Sequence, residues 1–181
     1  MIEHKKAPTG WIYSATDKND YEVGLDQSEK HSGTRCGYLK SVVEEPKPFG
    51  NLSSYFAPEE YLDKRLRMSA WVKTELVNSK AQLWLRVDGD WKSASSKPGC
   101  FDNMDDRPIV GSTAWRKYDL VVDIPKTSTG VAFGLMLLGK GQAWLDDVSF
   151  EEVSEDVPLT GKYASTHRTT SRPKNLSFED D

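Results

Sequence analysis

Apolar residues in this chain recur with a period of two, and that alternation limits what it can fold into. In residues 65–73, Leu66, Met68, Ala70 and Val72 alternate with Arg67, Ser69, Trp71 and Lys73. Residues 81–88 repeat the pattern, and residues 116–124 place Tyr118, Leu120, Val122 and Ile124 on one side. Successive side chains of a strand point to opposite faces, so a period of two means half-buried β-strands rather than helices. Residues 131–138, interrupted only by Gly134, are apolar on both faces, as in a central strand covered on both sides. Residues 142–152 alternate until Asp146-Asp147, a doubled polar position that predicts a bulge.

Weaker strand patterns lie at residues 11–16, 21–26, 35–42 and 51–57, separated by joints rich in Pro, Gly, Asn and Asp. Only residues 57–62 read as a helical turn, with Pro58 suited to its first position. Eight to ten short strands with almost no helix predict an all-β chain, a two-sheet antiparallel β-sandwich of the jelly-roll kind. The pattern stops at residue 154. Residues 1–153 are thus expected to form one domain and residues 154–181 a flexible polar tail.

Charge and cysteine usage then exclude several functions. The 181 residues carry 24 Lys+Arg against 28 Asp+Glu, a formal net charge of −4, which argues against a nucleic-acid surface. There is no helix-turn-helix pattern, no apolar run long enough to span a membrane, and no signal-like stretch among the first residues, so a cytoplasmic protein is expected. Cys36 and Cys100 are far apart and read as reduced thiols. His4, His31 and His167 are too scattered for a zinc site. No phosphate-binding loop, GxGxxG turn, nucleophile elbow or HExxH helix is present.

Six tryptophans in such a chain call for explanation. By alternation Trp71 and Trp84 leave the core face and join Arg67, Gln82, Arg86 and Asp88. Flat indoles beside fork-like donors and carboxylates suit a polar ring compound such as a sugar, whose ring stacks while its hydroxyls exchange hydrogen bonds. A second small core, sealed by the loop at 47–56 or by the tail, accounts for the same pattern. Trp11 anchors the first strand, Trp115 lids a strand end, Trp144 joins the polar face and Trp91 closes over from loop 89–99. The polar loop 100–109 adds Asn103, Met104 and Arg107 to the candidate ligand contacts, with Asp102, Asp105 or Asp106 as acid or base if the chain is an enzyme. A turn whose carboxylates cap backbone amides and pair with Arg107 is the plainer reading of that loop. Asp147, beside Asp146, is a candidate calcium ligand.

Several segments together are also familiar: Gly10-Trp11, 21–26, 31–33, 37–41, 64–69, 83–89, 101–104, 106–109, 111–115, 132–134, 139–141 and 144–150. As a set they resemble a family of bacterial galactose-binding-like jelly-roll domains, similar to carbohydrate-binding modules. Related domains stand alone or are attached to AraC-type regulators, erythromycin-esterase-like proteins and tail-processing-type peptidases. The resemblance implies the sandwich fold and, less directly, ligand binding; loop 90–100, with Trp91, Lys92 and Lys97, departs from its pattern. Similar sandwiches also serve as small cyclases and lyases, which would here use Trp71, Trp84, Met104 and Asp105 or Asp106. Three functions follow as expectations: a non-catalytic module for a carbohydrate or similar polar ring compound, a small enzyme in the same cleft, or a regulatory module that forms a homodimer.

Overall fold

The computed structural model describes residues 6–90 and 97–161. Nine strands follow one another: β1 (Ile12–Ala15), β2 (Tyr21–Asp26), β3 (Cys36–Ser41), β4 (Phe49–Phe56), β5 (Lys64–Gly89), β6 (Phe101–Asp102), β7 (Ile109–Ile124), β8 (Ser128–Leu138) and β9 (Gln142–Val153). A single 3-10 turn, Glu59–Tyr61, occupies the expected helical position, with Pro58 as its N-cap. Among the described residues no helix is long and apolar enough to cross a membrane.

The organising element is β5. The alternating runs at 65–73 and 81–88 are two halves of one 26-residue strand, not separate strands. Its first half pairs with β9 and β7, its second with β8 and β6. Between the halves Leu76 adopts φ 52°, and the register with β7 slips between Val72 and Thr74, Thr74 and Val77, and Val77 and Ala81. Such irregularities bend a strand sharply enough to carry it from one sheet to the other. One layer therefore reads β2-β3-β9-β5-β7 and the other β1-β4-β8-β5-β6, joined through β5.

Both halves of β5 turn their apolar residues into the space between the layers. Leu66, Met68, Ala70 and Val72 from the first meet Leu83, Leu85 and Val87 from the second, all nearly sealed from solvent. Leu120, Val122 and Ile124 of β7, as alternation predicts, and Val131, Leu135 and Leu137 of β8 complete this core. At roughly 1.5–3 kcal/mol per large buried side chain, this layer dominates the favourable side of folding. The predicted bulge is present in β9: Ser69 faces Ser149 but Trp71 already faces Asp146, and Asp147 takes φ 49°.

The domain continues past the expected boundary at 153. Arg65 donates to the carbonyls of Glu155 (2.6 Å) and Val157 (2.7 Å), and Thr160 bonds Val121 through both main chain and side chain. Residues 154–161 thus lie along β5 and β7, because their free backbone groups find partners there. The rest of the expected tail, 162–181, falls outside the described residues, as does Trp91.

Candidate functional site

The two indoles placed together by alternation lie on opposite sides of the molecule. Trp71 and Trp84 both point away from the core, but the corner of β5 puts them in different layers. Alternation reports which residues leave the core and is silent on which sheet they leave from.

On the first layer the outer face is largely sealed. The imidazole of His31 stacks on Trp71, with ring centroids 3.7 Å apart and planes 15° from parallel. His31 is held there by Asp147, whose Oδ2 lies 2.6 Å from Nδ1, while Ser32 donates its hydroxyl to Asp147 Oδ1 (2.8 Å). These two bonds lower the Asp147 carboxyl below its usual range. Both its oxygens are therefore engaged, and among the described residues no group of three or more His, Cys, Asp or Glu could hold a metal ion. Trp144, Tyr38 and Cys36 form a second small core with Trp115 against it. The Trp144 N–H donates to Asp26 Oδ2 (2.9 Å), and Lys73 sits 5.2 Å over the Trp144 ring while pairing with Glu29. Arg67 is spent on Glu151 (2.7 Å). Trp71 lies outside that second core, and what covers it is the segment around His31 rather than loop 47–56 or the tail. Nothing in the sequence marks a lone histidine more than 100 positions away as the partner of Asp147.

The second layer presents a different surface. Ser53, Gly134 and Trp84 form one cross-strand row, Asn51, Met136 and Gln82 the next, and Tyr55, Ala132 and Arg86 a third. The Trp84 N–H donates to Asn51 Oδ1 (2.8 Å), two strands away, so the indole spans β8. Gly134 makes this possible. A β-carbon there would come within 2.5 Å of the Leu52 carbonyl oxygen, so only glycine lets β4 and β8 close up and leaves a bare lane under the ring. Around this platform lie Tyr55, 72% exposed, and Arg86, which grips Asp88 through two bonds of 2.8 and 3.1 Å. Gln82 donates to Asp105 Oδ1 (2.9 Å), and Lys80 and Asn103 bond the same carboxylate. Those contacts, Gln82 and Asn103 first, lower the Asp105 carboxyl to about 2. Asp105 thus stays ionised and fixes the Gln82 amide.

The other residues of loop 101–107 face inward or are paired. Asp102 pairs across from Leu85, and its side chain is 0% exposed. It accepts from the Arg107 guanidinium, the Thr160 hydroxyl and the Met104 N–H. Arg107 also holds the exposed Asp106 (2.8 Å), and its own pKa is raised by these carboxylates against the opposing effect of burial. Met104, a candidate ligand contact by sequence, takes φ 55° and turns wholly into the core. A left-handed residue reverses the chain locally, and strand periodicity does not foresee it. Of the sequence candidates, the second layer gathers Trp84, Arg86 and Asn103 at its surface, whereas Gln82, 1% exposed, is sealed beneath Asp105 and props that carboxylate rather than facing a ligand. The layer leaves Arg67 and Trp71 on the far side and encloses Asp102 and Met104. Asn51, Tyr55 and Gly134 belong to the same candidate surface and were missed by sequence reasoning.

The two-layer β-sandwich is shared with several solved structures. Similar solved structures include TmCBM61 in complex with β-1,4-galactotriose (14% identity, 80% of this chain and 90% of that one, TM-score 0.54). The CBM22-1 xylan-binding domain from Paenibacillus barcinonensis Xyn10C is comparable (13% identity, 82% and 89%, TM-score 0.53). A cyclase from Fischerella sp. TAU shares the architecture at 10% identity (80% and 84%, TM-score 0.50). At such identities the likeness establishes the β-sandwich fold. In sequence, the chain is 41% identical over 178 residues to YbfP of Bacillus subtilis (strain 168), named as an uncharacterized HTH-type transcriptional regulator. That match takes in 98% of this chain but 59% of YbfP, so the chain spans about three-fifths of the relative's length. No family model matches the chain.

Proposed function

We propose that this chain is a non-catalytic binding module that holds a carbohydrate or similar polar ring compound on the outer face of the second layer, over Trp84. The observation that carries the reading is the indole laid across β8 and pinned to Asn51, with the Asn103 amide and the Arg86–Asp88 pair fixed around it. A ring fixed at its edge offers its face at little entropic cost, and fixed amide and guanidinium groups suit hydroxyls. Asp102 is enclosed, Asp105 is held by Lys80, Gln82 and Asn103, and Asp106 is paired with Arg107, so each of the three carboxylates is already engaged by protein groups, which disfavours the enzyme alternative.

The relative YbfP points to the setting. Two helices of a DNA-reading motif have no counterpart in the described residues here, whose only helical element is Glu59–Tyr61. We place the helix-turn-helix named for YbfP in the part of that protein outside the match. The module would sense a sugar for a regulator of that kind, in the cytoplasm. Titration calorimetry with β-1,4-galactotriose and xylohexaose tests the site, followed by a glycan array. The Trp84→Ala variant should weaken any sugar at least about tenfold, the equivalent of roughly 1.4 kcal/mol of ring contact. A folded Trp84→Ala protein that binds sugar as well as the parent, or a parent that binds none, refutes the reading.

A further inference from the structure

A second cleft, of about 360 Å³, opens on the outer face of the first layer, beyond the patch sealed by His31. Its floor is rigid. The Tyr38 ring lies over Gly24, where a β-carbon would come within 2.9 Å of it, and Trp144 is tied to Asp26. Asp26 also accepts from the Ser28 hydroxyl and from the Ser28 and Glu29 amides, which fixes the rim. Burial alone would push the Asp26 carboxyl up, but these bonds outweigh it and hold it well below the usual range.

Accounting for the charges around this cleft leaves a defined remainder. Asp26 is saturated by its donors, and Glu29 is paired with Lys73 (2.7 Å). Glu22 and Lys40 stand directly opposite each other on β2 and β3, with Gln142 of β9 next in the row, and all three line the cleft. No ion pair joins Glu22 to Lys40. The only partner of Glu22 is the Tyr38 hydroxyl at a stretched 3.4 Å, and among the described residues Lys40 and Gln142 have none. One carboxylate without an ion pair, one free ammonium and one free amide therefore flank a preformed cavity at the lower end of the size range of small-molecule sites. A ligand that satisfies all three carries both charges on a compact frame.

From this juxtaposition we propose that the cleft binds a small zwitterion of the α-amino-acid class. The ligand's ammonium group meets Glu22, and its carboxylate meets Lys40 and the Gln142 amide N–H. This site lies on the opposite layer from Trp84 and does not depend on sugar binding there. Calorimetry of the full chain against each standard L-amino acid tests it, with ethylamine and acetate as probes that carry one charge each. The expected result is saturable binding of at least one amino acid, with both single-charge probes about tenfold weaker or worse. Lys40→Ala and Glu22→Gln should each weaken that amino acid at least about tenfold, while Trp84→Ala leaves it unchanged. Absence of binding by every amino acid, ethylamine binding as tightly as the amino acid, or full affinity in both charge variants overturns the proposal.

Discussion

Replacing Asp102 by alanine removes the carboxylate that ties loop 101–107 to the segment at 154–161. Its oxygens accept from Arg107, Thr160 and the Met104 amide, so the change strips partners from loop 101–107, from the segment at 154–161 and from a buried N–H at once. Breaking a buried ion pair from one side costs roughly 3–5 kcal/mol. The Arg107 side chain is 33% exposed and regains water, which puts the cost near the lower limit, about 3 kcal/mol. For a domain of this size that corresponds to a melting temperature lower by roughly 6–12 °C. Urea unfolding followed by tryptophan fluorescence measures the loss directly, and an unchanged m-value shows that the same surface is exposed. Asp102→Asn keeps the volume and one acceptor and should fall between the parent and the alanine variant. Hydrogen exchange supplies an independent readout, since the Thr160 and Val121 amides should exchange faster once the Thr160 hydroxyl loses its carboxylate. A loss below about 1 kcal/mol, or unaltered exchange at both amides, refutes the view that Asp102 is a structural clamp.

Three further outcomes follow from the same geometry. Gly134→Ala drives a methyl group into the Leu52 carbonyl and should cost about 1–3 kcal/mol while shifting the Trp84 environment, checked by urea unfolding and emission wavelength. Burial pushes the Cys36 thiol up to about 12 and the Cys100 thiol up to about 11, so neither should react with a thiol reagent at pH 8 until urea unfolds the chain. Asp105, Asp26 and Asp147 all have carboxyl groups lowered by folding. Their contribution is complete above the unfolded value near 4 and is lost as the pH falls from about 4 toward 2. The urea midpoint should stay level from pH 7 to 5 and drop below about pH 4, and a level midpoint down to pH 3 would contradict this.

The sandwich was legible because burial imposes its own period: the residues that alternation assigned to the core of β5 are enclosed, as are Leu120, Val122 and Ile124 of β7, while Tyr118 at the start of that run is only half-buried. The bulge at Asp146-Asp147 was legible for the same reason, as a break in that period. The site was only partly so. Gln82, Trp84 and Arg86 share a face because they are two apart on one strand half, which is local geometry. Whether Trp71 joins them depends on residues 76–80, which look like a joint and act as a corner. His31 on Trp71, Asn51 on Trp84 and Thr160 on Asp102 are meetings made by the tertiary fold, and no local pattern announces them.

The corner of β5 also constrains how such a chain can change length. The halves share one backbone, so the number of residues between Val72 and Leu83 sets the phase of the second half relative to the first. Insert or delete a single residue there, and Trp84 and Arg86 turn inward while Leu83, Leu85 and Val87 turn out. Adding or removing two restores the phase. Relatives that keep this architecture should therefore vary the corner in even steps, and an odd step should be accompanied by a compensating bulge nearby.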